Sequence, residues 1–123
     1  MKIETIYFEN SAFGKIIQEW ANAYNIPAHA QDKSIDMETV DGLVVFHENH
    51  DILKHHHDVM DLFNTHQSGI SKVDVNGTLS VAISNFELWL DRNRAKHLLV
   101  VGDEKLSKNP NLIRFLDSLK LSK

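Results

Sequence analysis

Eight of the 123 residues are histidines, and five of these fall at positions 47, 50, 55, 56 and 57. Neutral imidazole is a strong ligand for borderline divalent metals, and a carboxylate beside two imidazoles suits zinc, nickel or ferrous iron. His47 and His50 share one turn after an apolar run, and Glu9 follows the first strand-like segment. If the first and third strands are neighbours, Glu9, His47 and His50 form a metal-binding set, with Asp103 either supporting those ligands or serving as a fourth partner from an adjacent strand end. On a helix starting at Asp51, His55, His56 and His57 point about 100° apart, which prevents all three from holding one ion. His50 and His57, two turns apart, are separated by about 10 Å along such a helix. His56 shares the apolar stripe and is expected to be a partly buried structural residue.

Other chemistries lack their parts. The absence of cysteine removes disulfides, thiolate zinc fingers, iron–sulfur clusters and a thiol nucleophile. No G-x-S-x-G elbow activates a serine, and neither G-x-x-x-x-G-K-[ST] nor G-x-G-x-x-G is present to cradle a nucleotide. Thirteen basic against seventeen acidic residues give a net charge of −4, without the basic footprint that nucleic acid or an anionic membrane requires. Leu43–Phe46 and Leu98–Val101 are too short to span a bilayer, and the opening residues lack a signal-peptide pattern, so the expected location is the cytoplasm. No organic cofactor is expected, leaving a divalent metal as the candidate bound species.

These residues must be positioned by alternating strands and helices. Lys2–Phe8 is β-branched and aromatic, and Asn10-Ser11 after it are good helix caps. Phe13, Ile16, Ile17, Trp20, Ala21 and Tyr24 repeat with helical period, and Asn25-Ile26-Pro27 ends the stripe. Pro27–Gln31 is expected as a short edge strand and Ile35–Val40 as a helical turn. Gly42–Phe46 is continuously apolar, as in a strand covered on both faces. A helix is expected over Asp51–His66, a strand over Ile70–Val75, a helix from Leu79 to Leu90, a buried strand over Lys96–Val101 and a last helix beginning near Pro110. Residues 1–123 therefore form one α/β domain. Its expected form is a three-layer α/β/α sandwich of four or five mostly parallel strands in the order 2-1-3-4-5. Lys72-Val73-Asp74-Val75 alternates polar with apolar and conflicts with a fully buried place in that sheet.

This order of elements resembles the receiver domains of two-component signalling, an architecture that flavodoxin-like proteins share. Receivers carry an acidic pair after the first strand, an acceptor aspartate after the third, a hydroxyl residue after the fourth and a lysine after the fifth. The matching places here are Glu9-Asn10, His47, Asn76 and Lys105, so the resemblance implies a degenerate member without aspartyl phosphorylation. The loop Asn10-Ser11-Ala12-Phe13-Gly14-Lys15 has one hydroxyl and one glycine, too few to wrap a flavin phosphate. Two function classes follow. The first is a non-enzymatic regulatory or protein-interaction module, meeting a protein partner or a second copy through Val81 and Leu88, which lie off the main stripe of their helix. The second is a small-ligand or divalent-metal-binding protein, or an enzyme, using Glu9, His47 and His50.

Overall fold

The computed structural model describes residues 3–31 and 35–119. In chain order the elements are β1 (Thr5–Phe8), α1 (Ala12–Ala23), β2 (Ala28–Ala30), β3 (Gly42–His47), α2 (Lys54–Thr65), β4 (Gly69–Asp74), α3 (Leu79–Asn93), β5 (His97–Gly102), a 3-10 turn η1 (Glu104–Lys108) and α4 (Pro110–Ser118). The expected start of the first strand, Lys2, lies outside the described residues. All five strands are parallel, in the order β2-β1-β5-β3-β4. The α/β sandwich therefore forms as its alternating elements imply.

Its strand order corrects the expected 2-1-3-4-5, because β5 inserts between β1 and β3. Leu99 pairs with Tyr7 on one side and Leu43 on the other. Burial explains the choice. Every residue of β3 is buried, as are all of β5 except His97. Both strands take places covered on two faces, while the alternating β4 goes to an edge where one row of side chains can reach water.

Two apolar layers flank the sheet. On one face α1, α3 and α4 cover Ile6, Phe8, Val44, Phe46, Val73, Leu98 and Val100. On the other, Leu43, Val45, Leu99 and Val101 pack against Phe63, Val59 and Met60 of α2, with Val40 and Met37 from the connection into β3. That connection contains the expected turn, in which Val40 N–H donates to the Asp36 carbonyl at 2.9 Å.

The second helix starts later than Asp51. Asn49 and His50 both adopt left-handed backbone, with φ of 50° and 69°, and Glu48 bridges Asp51 across a tight turn. This turn uses up the residues expected to open α2, which begins at Lys54 instead.

Candidate metal centre

The carboxyl ends of the parallel strands form the rim where ligands of open α/β sheets bind. Glu9 leaves β1 there, and the α1 helix begins three residues later, at Ala12. Ser11 caps α1, its Oγ accepting from Gly14 N–H at 3.0 Å and donating to the Glu9 carbonyl at 3.4 Å. Gly14 is dictated by this approach: a Cβ there would overlap the Glu9 carbonyl oxygen. Gly102, at the end of β5, is equally confined, because a Cβ would lie 2.8 Å from the Phe13 ring. The two glycines let the first turn of α1 and the end of β5 close tightly beneath Glu9.

Across from Glu9 stands the first turn of α2. His56 Nε2 lies 2.5 Å from Glu9 Oε1, and His55 Nε2 lies 3.4 Å from Oε2. Ring centroids of the two histidines are 4.1 Å apart. Successive residues near a helix start thus both reach one carboxylate, and the three ligand atoms fall within 4.8 Å of one another. His56 is only 1% exposed, Glu9 33% and His55 59%, so the cluster opens outward from a buried base. Burial opposes ionisation of Glu9, but its hydrogen bond to His56 and the charges of both histidines hold its carboxyl below the usual range. Glu9 is therefore anionic near neutral pH, and His56 Nε2 donates to it. A cleft of about 260 Å³ lies above, lined by Ser11, Leu53 and Glu104 beside the three. Glu104 Oε1 accepts from Ala12 N–H at 3.4 Å at the α1 terminus.

The expected set of Glu9, His47 and His50 is divided by β5. His47 ends β3, one strand beyond β5, and His50 folds back over it with ring centroids 5.2 Å apart. His50 N–H donates to His47 Nδ1 at 3.0 Å, so that nitrogen acts as an acceptor within the turn. Burial lowers the His47 pKa; Asp74 pulls the other way, while His50 and Lys72 add to the lowering. Asp103, expected as a fourth ligand, caps η1 by accepting from Lys105 N–H at 3.1 Å. Lys105 pairs closely with Asp51, which raises its pKa. Among the described residues, Glu9, His55 and His56 are the one group of three or more potential ligands that converge.

His56 is buried as expected of it, but its pairing with Glu9 and the convergence of its neighbour His55 on the same carboxylate are not marked by the sequence pattern. The cause is the Glu48–Asp51 turn, which has no glycine to mark it in the sequence: shifting the helix start to Lys54 brings His55 and His56 to the rim. A wider groove of about 560 Å³ between α1 and α4, lined by Trp20, Tyr24 and Ile113, has no comparable set of ligands.

Fold and site together define a small all-parallel α/β protein with a histidine–carboxylate cluster at the carboxyl rim of its sheet. No protein-family model matches the chain, and a search of curated proteins gives no match. Among solved structures, the chain is similar to a provisionally named molybdenum carrier protein from Syntrophus aciditrophicus SB. The TM-score is 0.65 at 12% identity, over 93% of this chain and 94% of that one. The similarity supports the fold. No described helix is long and apolar enough to cross a membrane.

Proposed function

We propose that the protein binds a divalent transition-metal ion through Glu9, His55 and His56, leaving coordination positions open to a small ligand in the cleft. The observation that carries this reading is the convergence of two imidazole nitrogens on one anionic carboxylate. With metal–ligand distances of about 2.0–2.2 Å, tetrahedral ligands stand about 3.3 Å apart. The His55 Nε2–Glu9 Oε2 separation of 3.4 Å is at that spacing, while the His56 Nε2 contact of 2.5 Å is to the other oxygen, Oε1, and must widen by about 1 Å as the carboxylate turns to present one oxygen to the ion. Partial exposure of Glu9 permits that movement. Three protein donors with open positions are the pattern of exchangeable or catalytic metal sites, where the ion would act as a Lewis acid on a bound ligand.

The structural neighbour is described as a carrier of molybdenum, which is compatible with metal or small-ligand binding. The donor set here favours a cation: a molybdenum oxyanion would meet the Glu9 carboxylate as a like charge. An interaction-module reading is favoured separately by Val81 and Leu88 on α3, which are 55% and 47% exposed.

Calorimetry of zinc added to wild type, His55→Ala and His47→Asn tests the assignment. One tight equivalent is expected for wild type and His47→Asn, with loss in His55→Ala. Equal binding by all three would assign uptake to other histidines and overturn the reading.

A further inference from the structure

The β4 edge of the sheet has no neighbour beyond it among the described residues, and its polar groups follow a fixed alternation. Val75 N–H donates inward to the His47 carbonyl at 2.9 Å. In a parallel ladder the direction alternates, so Val73 and Ser71 also face β3, while Ile70, Lys72 and Asp74 turn their N–H and C=O groups outward. Such an edge invites another strand unless it is guarded.

We infer that β4 pairs antiparallel with β4 of a second copy of this chain, about a two-fold axis through Val73, giving a continuous ten-stranded sheet. Charge selects this register. An axis at Lys72 would oppose two lysines, and one at Ser71 would set Lys72 against Ile70. The axis at Val73 sets Lys72 of each copy opposite Asp74 of the other, in the pairs whose backbone groups point outward. Opposite charges directly across a ladder stabilise it, and like charges weaken it. Lys72 is exposed and forms no ion pair among the described residues. Asp74 uses Oδ1 to accept from Asn49 and Asn76 N–H groups. Its carbonyl accepts from Gly77 N–H at 3.1 Å and keeps a second lone pair for the ladder.

The helix beside this edge supports the same occupant. Val81 and Leu88 are the exposed large hydrophobics of α3, and a groove of about 200 Å³ between α3 and β4 is lined by Val81, Ala82, Asn85 and Val73. A two-fold axis normal to the sheet places the two α3 helices antiparallel on one face. Val81 of one copy then approaches Leu88 of the other, so edge and helix are covered together.

Sedimentation equilibrium of the full chain, from micromolar to near-millimolar concentration, tests the pairing. Wild type is expected to dimerise. Lys72→Glu, at an exposed position, is expected to keep its circular dichroism and melting temperature while weakening the dimer about tenfold or more, with Lys72→Gln between. Leu88→Glu is expected to weaken it too. A wild type monomeric throughout would overturn the inference and identify Lys72 as a guard of the edge. So would a dimer indifferent to Lys72→Glu, which would place the contact elsewhere.

Discussion

Two pairs of histidines stand at the same rim, on either side of β5, and do different things. On the β1 side His55 and His56 converge on the anionic Glu9 beneath an open cleft. On the β3 side His47 is buried and spends Nδ1 on the His50 N–H of a left-handed turn. Residue type and rim position are shared; the difference lies in what the ring nitrogens face. A nitrogen that gives its proton to a carboxylate at the mouth of a cleft can exchange that proton for a cation, while one facing a backbone N–H is committed to the fold.

The comparison breaks most completely if Glu9 is displaced from beneath. Gly14→Ala drives a methyl group into the Glu9 carbonyl, and is expected to cost about 3 kcal/mol or more. Denaturant unfolding measures this, and zinc binding should be lost with it. His47→Asn, which retains an acceptor near the Nδ1 position but loses the buried ring stacked on His50, should lose about 1–2 kcal/mol of stability and keep zinc binding near wild type at neutral pH.

Removing one ligand separates metal from fold. Glu9→Gln is expected to weaken zinc binding about a hundredfold or more by calorimetry, since even supporting residues of metal sites are worth about 10–100-fold. His56→Gln can still hydrogen-bond Glu9, so it should lose binding while its melting temperature falls by only a few degrees, as for about 1 kcal/mol.

The β3 side is sharpened by pH. Burial depresses the His47 pKa below 6.5, so the unfolded chain takes up its proton first as pH falls. Its contribution to stability is complete above 6.5 and declines below it, as pH drops toward the folded pKa. Unfolding free energy measured across this window should fall less steeply in His47→Asn than in wild type. The smallest effect belongs to His50, whose φ of 69° carries left-handed strain. His50→Gly should stabilise the turn by about 1 kcal/mol less the lost stacking on His47, without altering zinc affinity.

Much of this arrangement was legible in the sequence because burial writes itself as pattern. The runs Leu43–Phe46 and Leu98–Val101 are central strands, and the stripes through Ile17, Phe86 and Leu116 mark helices that cover one face. Strand neighbours leave a weaker trace. The alternation Lys72-Val73-Asp74-Val75 was that trace, since a half-polar strand belongs at an edge, and moving β4 outward frees the centre for β5. The site followed the error in order. A β3 beside β1 would place His47 near Glu9; with β5 between them, α2 brings His55 and His56 instead. The helix start was hidden because Asn49 and His50 adopt a left-handed turn without glycine, which neither periodicity nor capping rules reveal.

Anomalous diffraction at the zinc edge from crystals grown with one equivalent of zinc tests the central claim most directly. The expected result is one peak about 2.0–2.2 Å from a Glu9 carboxylate oxygen, His55 Nε2 and His56 Nε2, with the His50 N–H bond to His47 intact. A peak on His47 or His57, or zinc-free density with the Glu9–His56 hydrogen bond unchanged, would contradict it.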